Sequence, residues 1–437
     1  MGGPVEALLI GGGNRGLHVF GGYAQAHPER LRIVGVAEPI AERRDALARR
    51  HHLDADRCFT DWKQALDASR MADAVIVATD DMTHTEPAIA ALERGYHVLL
   101  EKPIAPTLRD CVRVVRAAER SGKILQIAHV LRYSAFYRAV ADVLESGRIG
   151  RVLTLDMKEH VAHWHMAHSY VRGKFRNRQV AAPILLAKCC HDLDLMQWLV
   201  RSPVTRVSSF ANLAHYRSES APEGAPARCT DGCPVQESCA HDAVRLYLGP
   251  DEKLARGWPW SDISADPSRE ARRRALESGR FGRCVYRCDN DVPDHQVAVF
   301  NFSNGVLATF TMQGHATHET RTIRISGTLG ELRGVLASGL LEVTRHGDVA
   351  VERVDIDGSG IGHFGGDQGL LEHFTDAVSR GAVDEVVTSG RESLESHLLG
   401  FAAERSRLDG CVVDLDAFRA EAEASAAGSG SEEEAGA

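Results

Sequence analysis

His191 is preceded by a lysine three residues earlier, Lys188, and followed by an aspartate three residues later, Asp194. Residues three apart share one face of a helical turn, so this spacing gathers a cation, an imidazole and a carboxylate. An imidazole ordinarily titrates near 6.5 and can exchange a proton at neutral pH. A lysine beside it can stabilise an oxygen that is acquiring negative charge, and the carboxylate can orient the ring. Taken alone, His191 could equally cap the start of a helix.

A second constellation opens the chain. Gly11, Gly13 and Gly16 form G-x-G-x-x-G within Gly-Gly-Gly-Asn-Arg-Gly, directly after the apolar run Val5–Ile10. The first glycine permits a tight turn, the second lets backbone approach a pyrophosphate, and the third allows close helix–strand packing. The following helix start then offers free N–H groups to the diphosphate. Glu38 ends the next apolar run, 22 residues beyond Gly16. A carboxylate there accepts hydrogen bonds from a ribose 2′-hydroxyl and repels a 2′-phosphate, so the pattern predicts NAD in preference to NADP.

Two further clusters carry polar donors. His160, His163, His165 and His168 are interleaved with Trp164 and followed by Tyr170 and Arg172. We read them as a strand-end loop lining a polyhydroxylated ligand, because aromatic faces and polar donors suit sugars. His129, Arg132 and Tyr133 follow a predicted strand where such a sheet opens its ligand crevice. Cys229, Cys233 and Cys239, with Cys284 or Cys288 as fourth ligand, could hold a structural zinc in an insertion lacking a core of its own. His241 is an alternative ligand, and reduced buried thiols are the competing reading.

These residues need elements to position them. Strands are predicted at Val5–Ile10, Arg32–Ala37, Ala74–Ala78, His97–Leu100 and Ile124–Ala128, alternating with helices from about Arg15, at Ala41–Arg50, Glu86–Arg94 and Thr107–Ser121. Continuous apolar strands alternating with helices predict a parallel, doubly wound sheet over residues 1–130. The rhythm then changes to period two, at Val152–Glu159, Val297–Phe302, Leu307–Met312, Thr322–Ser326, Leu340–Thr344 and Val349–Ile356. This predicts a C-terminal α+β domain over residues 131–420 with a large, mostly antiparallel open sheet. A less regular insertion occupies about 211–291, and a polar tail, 421–437, is expected to be disordered.

A chain of 437 residues with 44% hydrophobic and 25% charged residues is globular in composition. A net charge of −9 without a basic run argues against nucleic acid as a partner. No apolar segment approaches the roughly 20 residues that span a bilayer, and the N-terminus has no signal-peptide pattern. The expectation is a soluble cytoplasmic protein whose ten cysteines are reduced.

Glu101-Lys102-Pro103 ends the fourth predicted strand. With the glycine fingerprint, the Thr79-Asp80-Asp81-Met82-Thr83-His84 segment and His191-Asp192-Leu193-Asp194, it resembles the Gfo/Idh/MocA family of oxidoreductases. The resemblance implies an N-terminal Rossmann domain and a C-terminal α/β domain whose open sheet builds homodimers or homotetramers. It implies NAD(P)-dependent redox chemistry at a sugar or cyclitol carbinol. It places Asn14, Arg15, Thr79, Asp81, His84, Glu101 and Lys102 along the coenzyme, and Lys102 beside the nicotinamide and the reacting hydroxyl. It gives His191 and Asp194 the family's histidine–aspartate roles, with His191 also meeting substrate; Lys188, by its own chemistry, is a candidate for proton transfer or for holding substrate. Family members commonly carry an aspartate four residues before the histidine; Ala187 stands there, followed by Lys188. Two other outcomes fit the same motifs: glycoside cleavage by transient oxidation, elimination and re-reduction, and a non-catalytic dinucleotide-binding regulator.

Overall fold

The computed structural model describes residues 3–356 and 363–427. Six strands, β1 (Val5–Ile10), β2 (Leu31–Ala37), β3 (Cys58–Phe59), β4 (Ala74–Val77), β5 (His97–Leu100) and β6 (Leu125–Ile127), form a parallel sheet in the order β3-β2-β1-β4-β5-β6. Residues of β4 are buried throughout because helices cover both faces. One of these helices, Leu108–Ser121, starts where the Thr107 side chain accepts from the Asp110 N–H and stops at Gly122 in the left-handed conformation. The strand order reverses between β1 and β4, which opens a crevice at the carboxyl ends of the strands.

The second sheet has nine strands: β7 (Val152–Ala162), β8 (Val204–Asn212), β9 (His295–Phe302), β10 (Leu307–Ala316), β11 (Thr320–Gly327), β12 (Gly330–Val335), β13 (Leu340–Arg345), β14 (Glu352–Arg353) and β15 (Val413–Asp414). Their order is β14-β13-β12-β11-β7-β10-β9-β8-β15, antiparallel except for the central β7–β10 pair. Inward positions alternate along β7: Leu155, Met157, Glu159 and Val161 are buried. On the other face Phe210, Val297, Val299 and Leu307 are exposed, with Phe210 paired to Val297 across β8–β9.

The final helices return to the first sheet. Thr388 hydroxyl and carbonyl bond to the Ile127 carbonyl and N–H, and Gln126 donates to the Leu370 carbonyl. Residues beyond 365 therefore close one flank of the nucleotide domain as well as belonging to the second.

Three expectations need correction. The strand predicted at Val349–Ile356 pairs only at Glu352–Arg353. The segment after 421 is helical as far as Ala427, as part of Leu415–Ala427, with Arg116 paired to Glu423; residues 428–437 lie outside the described part. The insertion does possess a core, built from Tyr247, Leu248, Leu276 and Phe281 between the helices Ala243–Leu248 and Arg269–Ser278.

Candidate active site

The glycine turn after β1 has the shape a dinucleotide requires. Gly11 sits at φ +99, and a Cβ there would lie 2.5 Å from the Ala78 carbonyl oxygen. A Cβ on Gly16 would meet the Gly11 carbonyl at 2.0 Å, whereas one on Gly13 would meet nothing within 4 Å. The turn is closed against the sheet on one side and open on the other, where a pyrophosphate would approach. Glu38, 4% exposed, accepts from the Gly12 and Ile40 N–H groups at 2.6 and 2.9 Å. Glu38, Arg43, Thr60, Thr79 and Asp80 line a 390 Å³ cavity beside the turn. These features fit an adenosine and its ribose.

A second cavity, 540 Å³, adjoins the turn at Asn14 and Arg15 and the loop after β4 at Thr79. Lys102, His165, Tyr170, Lys188 and His191 line it, together with Asp81 and Glu101. The Lys102 ammonium donates to the Ala187 carbonyl at 3.0 Å, and the Lys102 backbone N–H donates to the Glu101 carboxylate. Arg15 pairs with Glu101 and, at 2.8 Å, with Asp367. Burial pushes the Asp81 carboxyl up, against the pull of His84 and Lys102. His84 itself is buried between the Pro103 and Thr79 carbonyls, so it braces two loops of the site.

His191 stands on the helix Cys190–Val200. Burial, then the Lys102 cation, holds its imidazole well below 6.5. The ring is therefore neutral at physiological pH and titrates lower than an ordinary histidine. The expected partnership with Asp194 is not formed. Asp194 instead takes a two-toothed ion pair from Arg132, at 2.7 and 2.8 Å, behind the cavity.

Lys188 stands between two carboxylates. Burial does pull the ammonium down, but Glu159 and Glu319 more than offset this and hold it above its usual value. Its Nζ lies 2.7 Å from Glu319 and 3.2 Å from Glu159. Glu159 also pairs with Arg321 at 2.7 Å, Arg321 with Asp192 at 2.9 Å, and Glu319 with His165 at 2.7 Å. A chain of alternating charges thus runs under one wall of the cavity. Glu159, Asp192, Glu319 and Arg321 were not singled out as site residues from the sequence. The signal was present in the strand phase: Glu159 and Arg321 occupy inward positions of β7 and β11 and face each other in register.

Other proposed ligand residues lie elsewhere. Arg172 is fully buried under the insertion, donating to the Arg283 and His241 carbonyls. Tyr133 bonds to Gln126 and Thr388, and Arg132 to Asp194 and the Val387 carbonyl, so neither lines the cavity. His168 bonds to Tyr247 within the insertion, and His160 to Gln313 in the sheet. Trp164 stacks on His165 and meets Trp258, an insertion residue that does line the cavity. His163 faces His241 outside the lining. His129 is fully buried behind His191, their rings edge to face at 5.7 Å.

All ten cysteines are free. Cys284 lies within electrostatic reach of Cys229, Cys233, Cys239 and Cys288. Even so, among the described residues the insertion thiols do not converge into a ligand group of three. Cys229 is turned toward Arg172 and Cys288 toward the Cys284 carbonyl. No described helix is long and apolar enough to cross a membrane.

Residues 5–129 match the oxidoreductase family with an NAD-binding Rossmann fold, GFO_IDH_MocA, and residues 137–236 match the GFO/IDH/MocA C-terminal domain. YteT of Bacillus subtilis, an oxidoreductase by name, is 29% identical over 60% of this chain and 59% of its own. An inositol 2-dehydrogenase of Streptomyces avermitilis is 33% identical over 44% of this chain and 52% of its own. The chain thus spans roughly half to three-fifths of the length of these curated relatives. A levoglucosan dehydrogenase solved with NADH and levoglucosan superposes with a TM-score of 0.71 at 19% identity, covering 94% of this chain and 99% of its own, a likeness of fold. By the family match to both domains, the chain belongs to the Gfo/Idh/MocA family of NAD-binding oxidoreductases.

Proposed function

We propose that the protein moves a hydride between NAD and a secondary carbinol of a sugar or cyclitol. One observation carries this reading: Lys102 and His191 line the same cavity as Asn14 and Arg15 of the coenzyme turn. The names of the inositol and levoglucosan dehydrogenases support a polyhydroxylated substrate. Bound nicotinamide would accept or return the hydride. The chain's residues handle the rest.

As the C–H bond breaks, the hydroxyl proton must leave. A neutral His191 with a free lone pair can accept it, and the Lys102 ammonium stabilises the oxygen meanwhile. Burial, reinforced by the Lys102 cation, keeps the imidazole unprotonated before reaction. Glu319, held as a carboxylate by His165 and Lys188 despite burial, can accept hydrogen bonds from neighbouring substrate hydroxyls. Tyr170 and Trp258 supply apolar ring surface. A regulator without catalysis would have no use for this convergence of acid–base groups.

The exposed apolar strip at Phe210, Val297, Val299 and Leu307 serves in this reading as a homo-oligomer contact. Light scattering showing a monomer would remove that element. A structural zinc in the insertion would require its thiols to rotate toward Cys284. Metal analysis of protein never exposed to chelator, showing about one equivalent lost on Cys233→Ser, would support it.

The deciding experiment screens sugars, cyclitols and glycosides for NADH formation and for aglycone release. NADH formation from a free polyol supports the proposal. Aglycone release without net NADH would replace it with glycoside cleavage by transient oxidation.

A further inference from the structure

We infer that His129, Cys190 and His191 form a site for one soft divalent cation of the zinc class, and that its occupation disables His191. The ligand atoms of these three residues lie within 4.8 Å of one another. His129 and Cys190 are fully buried and His191 is 7% exposed. Both ring nitrogens of His129 and the Nδ1 of His191 have no hydrogen-bond partner. Buried polar atoms are nearly always satisfied, and an ion is among the explanations for an orphan.

The chemistry of the set is consistent. Two imidazoles and a thiolate suit zinc, cobalt or cadmium far better than magnesium or calcium. Burial first, then nearby cations, keeps both imidazoles unprotonated and therefore able to donate a lone pair. The Cys190 thiol, pushed up to about 12 by burial, gives up its proton to solvent as the metal–sulfur bond forms. Three protein donors leave a tetrahedral ion one position for a water or a substrate oxygen. The route in is the 540 Å³ cavity, which His191 lines. Lys102 and Arg132 oppose a further cation there, and Asp194, 4.0 Å from His129 Nε2, is already engaged by Arg132. This balance describes a site of moderate affinity that fills when free metal rises. Once His191 holds a cation it has less basicity to offer the substrate, a consequence that rests on the proton-transfer role proposed above.

The test uses the full chain, stripped with chelator and titrated with cobalt(II). The expected result is one saturable equivalent with a sulfur-to-cobalt charge-transfer band, and turnover that falls with occupancy and recovers on chelation. Cys190→Ser should abolish the band and weaken binding about tenfold or more. His129→Asn provides a second variant should Cys190→Ser fold poorly. No binding, or a band that survives Cys190→Ser and vanishes in Cys284→Ser, overturns the site and places the metal in the insertion. A Cys190-dependent band with undiminished turnover would uphold the site and instead overturn the role given to His191.

Discussion

The Lys102 ammonium donates to the backbone carbonyl of Ala187 at 3.0 Å, so the lysine at the coenzyme end of the cavity is tethered to the segment that leads into His191. The carbonyl aims the ammonium without neutralising it. The position at which relatives of this family commonly carry an aspartate here supplies a main-chain oxygen.

That tether makes Lys102→Met informative. The glycine turn is untouched, so NAD affinity should stay within a small factor. Turnover should fall by ~10²-fold or more, the scale for losing a proton-transfer or oxyanion-stabilising group. His191→Ala should behave similarly, and the double variant should be far less than multiplicatively worse. Near wild-type turnover in Lys102→Met, on a verified substrate, would relocate the catalytic centre.

Lys188 should act differently. Two carboxylates hold it charged, so it is a poor proton acceptor. Lys188→Met leaves the fully buried Glu159 with Arg321 as its remaining cation and should destabilise the fold, by less than the about 3–5 kcal/mol that a wholly uncompensated buried charge costs. Urea unfolding measures this. Glu319→Gln keeps the shape and should chiefly raise KM; an unchanged KM with collapsed kcat would give Glu319 a part in the chemistry.

Coenzyme choice rests on Glu38. Glu38→Ala should weaken NAD about tenfold or more, the worth of hydrogen bonds to a charged group. NADP should lose less, because the repelling carboxylate is gone while Arg43 remains in the same cavity. Equal NAD and NADP affinities in the unaltered protein, measured by fluorescence titration, would sink the assignment.

Acid should destabilise the metal-free protein well above the carboxylate range. His129, His191 and His397 are all held below 6.5 in the fold, chiefly by burial, with His397 lowered to about 3. The unfolded chain therefore binds more protons as pH falls through 6.5, and stability is lost on the acid side. Between pH 7.5 and 5.5 His397 contributes a loss of about 1.4 kcal/mol, and His129 and His191 act in the same direction. Burial pushes Asp192 up despite Arg321, which opposes part of the change. A urea midpoint independent of pH over that interval, with chelator present, would contradict the buried neutral rings.

Much of the nucleotide domain was legible in the sequence because its signals are local. Gly11 and Gly16 are required by backbone contacts within a few residues or one neighbouring strand, and Glu38 ends the strand next to them. The substrate side was legible only in part. Arg132 and Arg172 looked like ligand donors, yet they satisfy partners brought in by segments far along the chain, Asp194 and Val387 for one, Arg283 and His241 for the other. Sequence spacing put Asp194 near His191 but could not say which direction its carboxylate would face. Glu159 and Arg321 could have been found by asking why charges occupy inward phases of two strands.

Trp258 gives the insertion a significance beyond packing. It reaches the cavity from a segment with a separate small core, while the coenzyme turn and Lys102 belong to the first sheet. One wall of the cavity therefore comes from a segment with a core of its own, fastened to the rest of the protein through Arg172 and His168. Its sequence can be redrawn to admit a larger or smaller molecule while the glycine turn and Lys102 stay as they are, much as a mould can be given a new face without recasting its base.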